Sequence, residues 1–188
     1  MRYFIFLTSI LICQELHAND LDIIQTAGSA YFNIEQDYRP SYSSLSGENG
    51  LAFGALVTYK IYSDLVIGVG GNAYIGWNTF GADDGATVND TNILVGYSID
   101  AGNGYSVVPL FGMSYWKYQF TQGAFLHSGP EDIFKYGGHN PVFRILLKFP
   151  SRRLVGFNIG YTYGKNDFGT LQSVNFELRY QLMRKSAK

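Results

Sequence analysis

Residues 154–164 read LVGFNIGYTYG. Val155, Phe157, Ile159, Tyr161 and Tyr163 share one parity, and Gly156, Asn158, Gly160, Thr162 and Gly164 share the other. A strand points successive side chains to opposite faces. As a strand, this segment has one wholly greasy face and one face of very small or polar groups. A helix would scatter the same residues around its axis. The fold therefore turns on which solvent the greasy face meets.

The alternation recurs along the chain. It predicts eight strands, near 26–34, 51–62, 65–80, 91–101, 105–120, 141–149, 154–164 and 171–182. In the first, Gly28, Ala30, Phe32 and Ile34 share a face. The fifth is ambiguous. Val107, Pro109, Phe111, Met113 and Tyr115 can face outward, but so can Val108, Leu110, Trp116, Tyr118 and Phe120. Pro109 removes a ladder donor, so a bulge there can switch the parity. Connections mostly alternate in length. Polar loops near 35–50, 81–90, 121–140 and 165–170 are separated by tight turns at Ser63-Asp64, Gly102-Asn103-Gly104 and 150–153. Gly and Asn tolerate the positive φ that hairpin turns require.

Composition narrows the class. Charged residues make up 15% of the chain, against ~25% in an ordinary soluble domain. There are 22 Gly, 15 Tyr and 14 Phe. A formal net charge of -1 provides no basic field for nucleic acid. Residues 1–18 read as a secretory signal peptide: Arg2 supplies the charge, 3–12 the apolar run, and Leu16-His17-Ala18 a cleavage site. The run is too short for a spanning helix, which needs ~20 apolar residues. Cys13 is the one cysteine and lies in that signal, so the mature chain is expected to lack disulfides and thiolate metal sites. Residues 19–182 read as one barrel and 183–188 as a basic periplasmic tail.

Alternation alone does not say which face is outside. A soluble barrel would turn the apolar face inward. Three features favour the reverse. The polar face is rich in Gly (Gly54, Gly68, Gly70, Gly76, Gly96, Gly156, Gly160). A water-facing strand gains nothing from Gly, whereas an eight-stranded barrel has little interior volume to fill. The apolar face is nearly free of charge. Tyr59, Trp77, Tyr97, Tyr163 and Tyr180 recur near apolar strand ends, as at a membrane–water boundary. The expected fold is all-β: an eight-stranded antiparallel up-and-down transmembrane β-barrel with short periplasmic turns and longer extracellular loops. In lipid every backbone donor and acceptor needs an internal partner, so the first strand must pair with the eighth.

The signal peptide, the eight strands and LFGMSYWKYQF at 110–120, with Gly112, Met113 and Trp116, resemble the small OmpA/OmpX and opacity-protein group of Gram-negative outer-membrane barrels. The resemblance covers nearly the whole mature chain as pattern. It implies residence in the bacterial outer membrane and a structural or surface-interaction role. One departure stands out: many members end on an aromatic residue, whereas here Tyr180 and Leu182 are followed by residues 183–188.

Six charged residues are expected in the lumen: Lys60, Asp100, Arg144, Lys148, Glu177 and Arg179. Arg144 and Glu177 lie at similar distances from their periplasmic strand ends, which predicts an ion pair or small network. The set reads as a plug that satisfies buried charge; a gate or polar conduit, giving a narrow solute channel, is the alternative. His127-Ser128 with Glu131 suggests a second alternative, because outer-membrane lipid A deacylases resemble this barrel and use a His-x-Ser arrangement. Here the two residues are adjacent and lie in a Gly-Pro loop, so no catalytic residue is assigned. His127, Glu131, Asp132 and His139 lack metal-ligand spacing, and Asp83-Asp84-Gly85 reads as a polar turn rather than a calcium loop. No metal or cofactor is expected. The loops place Tyr38, Tyr42, Phe125, Phe134 and Tyr136 among Ser, Asn and Gly, a composition suited to adaptable contact. Expected partners are outer-membrane lipid and lipopolysaccharide, and host or cell-surface macromolecules at the loops.

Overall fold

The computed structural model describes residues 20–35, 37, 47–62, 64–77, 85–121, 134–151 and 154–183. Residues 1–19 and 184–188 lie outside them. Eight barrel strands follow one another: β1 Leu21–Ile34, β2 Gly47–Tyr62, β3 Leu65–Gly76, β4 Gly85–Tyr97, β5 Tyr105–Thr121, β6 Phe134–Lys148, β7 Val155–Asn166 and β8 Gly169–Met183. β4 continues past Ser98 as a short piece, Ile99–Gly102. Each strand pairs antiparallel with its sequence neighbours, and β1 pairs with β8 to close the barrel.

The greasy face points outward. In β7, Phe157 is 65% exposed, whereas Gly156, Asn158, Gly160, Thr162 and Gly164 are buried. Ile93 and Phe176 reach 67% and 72%, while the inward Ile24, Leu56, Leu110 and Leu146 have no exposure. The chain is thus wrapped inside out relative to a soluble barrel: a skin of apolar side chains surrounds a filled lumen. β1 has the least apolar skin, with Gln25, Ala27 and Ser29 facing out.

Several boundaries and faces differ from the sequence reading. β1 starts at Leu21, five residues before the expected Thr26, and its Ala30, Phe32 and Ile34 face inward. This face breaks the general rule because the loop end of the lumen needs apolar bulk to fill it. β5 keeps one parity throughout, with Phe111 and Met113 outward and Val108, Leu110, Trp116 and Tyr118 inward. No bulge occurs at Pro109, since the β5–β6 register runs unshifted from Ser106 to Phe120. The missing Pro109 N–H instead coincides with the interruption of β4. Pairing stops at Gly96↔Leu110 and resumes in the same register at Ile99↔Val107, which leaves Tyr97 opposite Pro109. A ladder donor absent from one strand thus breaks its neighbour without changing which way side chains point.

The expected loop at 165–170 shrinks to a two-residue turn. β7 and β8 pair as far as Asn166↔Gly169. Asn166 Oδ1 accepts from the backbone N–H of Phe168 at 3.2 Å and of Gly169 at 3.0 Å. An Asn carboxamide folding back on the following amides is the usual support of such turns. Asn166→Ala is expected to destabilise the barrel by about 1 kcal/mol, read as a lowered denaturant midpoint with an unchanged slope.

Candidate functional site

The lumen is built in tiers, which β1 samples in order along its inward face: Asp22, Ile24, Thr26, Gly28, then Ala30, Phe32 and Ile34. At the turn end a polar mouth of about 120 Å³ is lined by Asp20, Asp22, Lys60, Lys148, Arg179 and Gln181, among others. Lys148 Nζ lies 2.7 Å from Asp22 Oδ2. Lys60 Nζ lies 2.7 Å from Asp64 Oδ1. Gln181 donates to Asp20 at 3.1 Å, and Arg179 to the Phe149 carbonyl at 3.2 Å.

Next comes an apolar layer of Ile24, Leu56, Val66, Leu94, Val108, Leu110, Val142 and Leu146. Gly68 and Gly70 on β3 make room for it, since a Cβ on either would press on Leu56 Cδ1. At the loop end a second apolar cluster includes Phe32, Ile34, Tyr74, Val88, Trp116, Tyr118 and Leu171, with Tyr136 and Phe168 packed against it. Phe168, from the tight β7–β8 turn, meets Trp116, Tyr118 and Tyr136 with ring centroids 6.2, 6.5 and 6.4 Å apart. Two greasy stoppers therefore occupy the bore, one towards each end.

Between them lies a buried polar belt. Arg144 Nη2 is 2.5 Å from Glu177 Oε1, with side chains 1% and 0% exposed. Asn158 Nδ2 donates to Glu177 Oε2 at 3.3 Å. Arg144 and Glu177 sit on β6 and β8, so their contact must cross β7. Gly160 makes that crossing possible, because a Cβ there would collide with the Glu177 carboxylate. The small residues of the opening stretch thus have specific tenants: Glu177 over Gly160, Arg179 over Gly156 and Trp116 over Gly164. On the opposite wall, Asp90 Oδ1 accepts from the Asn72 backbone N–H at 2.6 Å and from Asn72 Nδ2 at 2.8 Å. Asp90 Oδ2 accepts from Asn92 Nδ2 at 3.3 Å.

Five of the six expected lumen residues thus line the interior or its mouth, with Arg144 and Glu177 joined in the belt and Lys60, Lys148 and Arg179 at the mouth. Asp100 is a correction: it is exposed, beyond the interruption at Ser98, and its carboxylate accepts from the Gly102 N–H at 2.8 Å. It caps the turn because the wall has ended there. The sequence reading missed Asp22 and Asp90, having left both outside strands. The signal was available, since Asp22 continues the parity of Ile24 and Asp90 that of Asn92 and Leu94.

His127, Ser128, Glu131 and Asp132 lie outside the described residues, as do Asp83 and Asp84. His139 is on β6, exposed on the outer face with its ring 5.0 Å from Tyr115. Among the described residues, no group of three His, Cys, Asp or Glu is placed to hold a metal ion. Tyr136 is a further correction. It belongs to β6 and caps the lumen beside Tyr118 and Phe168, so it is not part of a loop contact surface.

A scan against protein-family models gives no match. A search of curated proteins gives none either. Solved structures do match in fold. Neisserial surface protein A (NspA) superposes with a TM-score of 0.63 at 14% identity, covering 86% of this chain and 97% of that one. Ail, the attachment invasion locus protein of Yersinia pestis, gives 0.59 at 12% identity, covering 88% and 99%. Ail in complex with the heparin analogue sucrose octasulfate gives 0.55 at 13% identity, covering 87% and 99%. The chain has the fold of the small eight-stranded outer-membrane β-barrels.

Proposed function

We propose that this chain is an outer-membrane barrel with a structural or surface-interaction role, in which the scaffold presents its outer loops to other molecules. The observation that carries the reading is a lumen stoppered at both ends inside an apolar skin. Such a body suits display better than conduction. β2 and β5, of 16 and 17 residues, exceed the ~9–11 residues a strand needs to cross a bilayer, so they reach beyond it. In this reading residues 1–18 are removed on export and 183–188 face the periplasm. Outer-membrane lipid and lipopolysaccharide surround the skin. Host or cell-surface macromolecules are the partners of the loops, by analogy with Ail and the heparin analogue bound to it. No catalytic role is assigned.

Cysteine labelling tests this. Cys13 is the only native cysteine, and it leaves with the signal, so introduced thiols report alone. Asp83→Cys and Ser128→Cys are expected to react with an impermeant maleimide on intact cells. Asn103→Cys, at the turn end, is expected to react only after the outer membrane is opened. The reverse pattern would overturn the topology. A labelled loop that blocks adherence to glycan-coated surfaces would support the interaction role, and unaltered adherence would leave the structural one.

A further inference from the structure

We propose that the mid-lumen belt holds a small monovalent cation of the sodium class, bound by Asp90, Asn92, Ser114 and Asn140. Asp90 is 4% exposed, and its two carboxylate oxygens accept three N–H donors. The field of Arg144 reaches it, but no neighbour forms an ion pair with it among the described residues. Arg144 is engaged by Glu177, Lys148 by Asp22 and Lys60 by Asp64; among the described residues no cation pairs with Asp90. A desolvated anion without a partner is expensive.

Acceptors accumulate beside it. Asn92 follows Asp90 by two residues and shares its face. Asn92 stands opposite Ser114 across β4–β5, and Ser114 stands opposite Asn140 across β5–β6. These three side chains are 2%, 1% and 0% exposed. Asn92 Oδ1, Ser114 Oγ and Asn140 Oδ1 have no hydrogen-bond partner among the described residues. Neither amide is free to turn its nitrogen inward, because Asn92 Nδ2 is held by Asp90 and Asn140 Nδ2 by the Pro141 carbonyl. A row of lone oxygens beside one carboxylate is a hard donor set. A single carboxylate neutralises one positive charge, whereas a divalent ion would remain half uncompensated in a buried site. The layer containing Leu94 and Leu110 and the cluster containing Val88 and Trp116 close the belt on either side.

The test refolds the purified barrel into detergent micelles in sodium, potassium or N-methylglucamine chloride at equal ionic strength. Thermal unfolding is then followed by the loss of heat-modifiable gel mobility. Sodium is expected to raise the Tm by about 3 °C over N-methylglucamine at a roughly tenfold excess over its Kd. Sodium-NMR line broadening is expected to accompany the folded barrel. Asp90→Asn should abolish both effects. Should that variant fail to fold, Ser114→Ala, which removes one ligand oxygen, should reduce both. Equal Tm values in sodium and N-methylglucamine would overturn the site and leave the belt to water or a proton. So would a sodium effect that survives Asp90→Asn.

Discussion

Arg144→Leu is expected to destabilise the folded barrel by about 3–5 kcal/mol, the cost of leaving a buried carboxylate without its partner. The guanidinium is the cation that meets Glu177, and both side chains are sealed from solvent. Asn158 stays to donate one hydrogen bond, but an amide carries no charge. The double variant Arg144→Leu, Glu177→Gln is expected to regain most of the loss, because it removes both charges from the buried belt together. Denaturant unfolding of the refolded barrel measures each value. Equal destabilisation of single and double variants would show that packing of the long arginine, not its charge, is what the belt needs. The pair also depends on the strand between its members. A side chain at position 160 would displace Glu177, so Gly160→Val should mimic the loss while leaving Arg144 in place.

The second large effect concerns the skin. Phe157→Arg is expected to cost about 2–4 kcal/mol if the site lies near the middle of the bilayer, and less nearer its edge. Phe157 is 65% exposed on the outer face and pairs in register with the outward Leu178. Burial of the apolar face inside the barrel would make the substitution equally costly in any solvent. An outward face makes the cost depend on the surrounding lipid. Unfolding in bilayers of increasing thickness should therefore show a growing penalty for Phe157→Arg and none for Lys165→Ala. A penalty indifferent to lipid would contradict the inside-out arrangement.

The barrel's class could be read from the sequence because period two is a local property. Glycines on one parity and aromatic residues on the other state both the strand and its orientation, as residues 154–164 do. Strand ends were harder to read. Asp22, Glu48 and Asp90 are polar residues near turn-like sequence, and charge there ordinarily marks a loop. In a filled barrel the same charge continues inward, where an amide or a cation awaits it from across the wall. The ambiguity of β5 had the same origin: its inner and outer faces are both apolar, because the stoppers at each end draw bulk from Val108, Leu110, Trp116 and Tyr118. Asp100 misled for the opposite reason. Its parity is correct, but parity loses meaning once the wall ends.

The seam between β1 and β8 has a consequence for how the molecule is made. Its partners run from Leu21↔Met183 to Ile34↔Gly169, the two extremes of the described chain. Every other pairing joins strands adjacent in sequence. Seven hairpin-like steps can therefore form locally, whereas the seam needs the first and last strands brought together across the whole chain. Until then β1 and β8 are raw edges, with unpaired amides that lipid cannot satisfy. A chain truncated before Gly169 would have a skin and most of a lumen but no way to close. Loss of the final strand should therefore remove the whole barrel rather than an eighth of it.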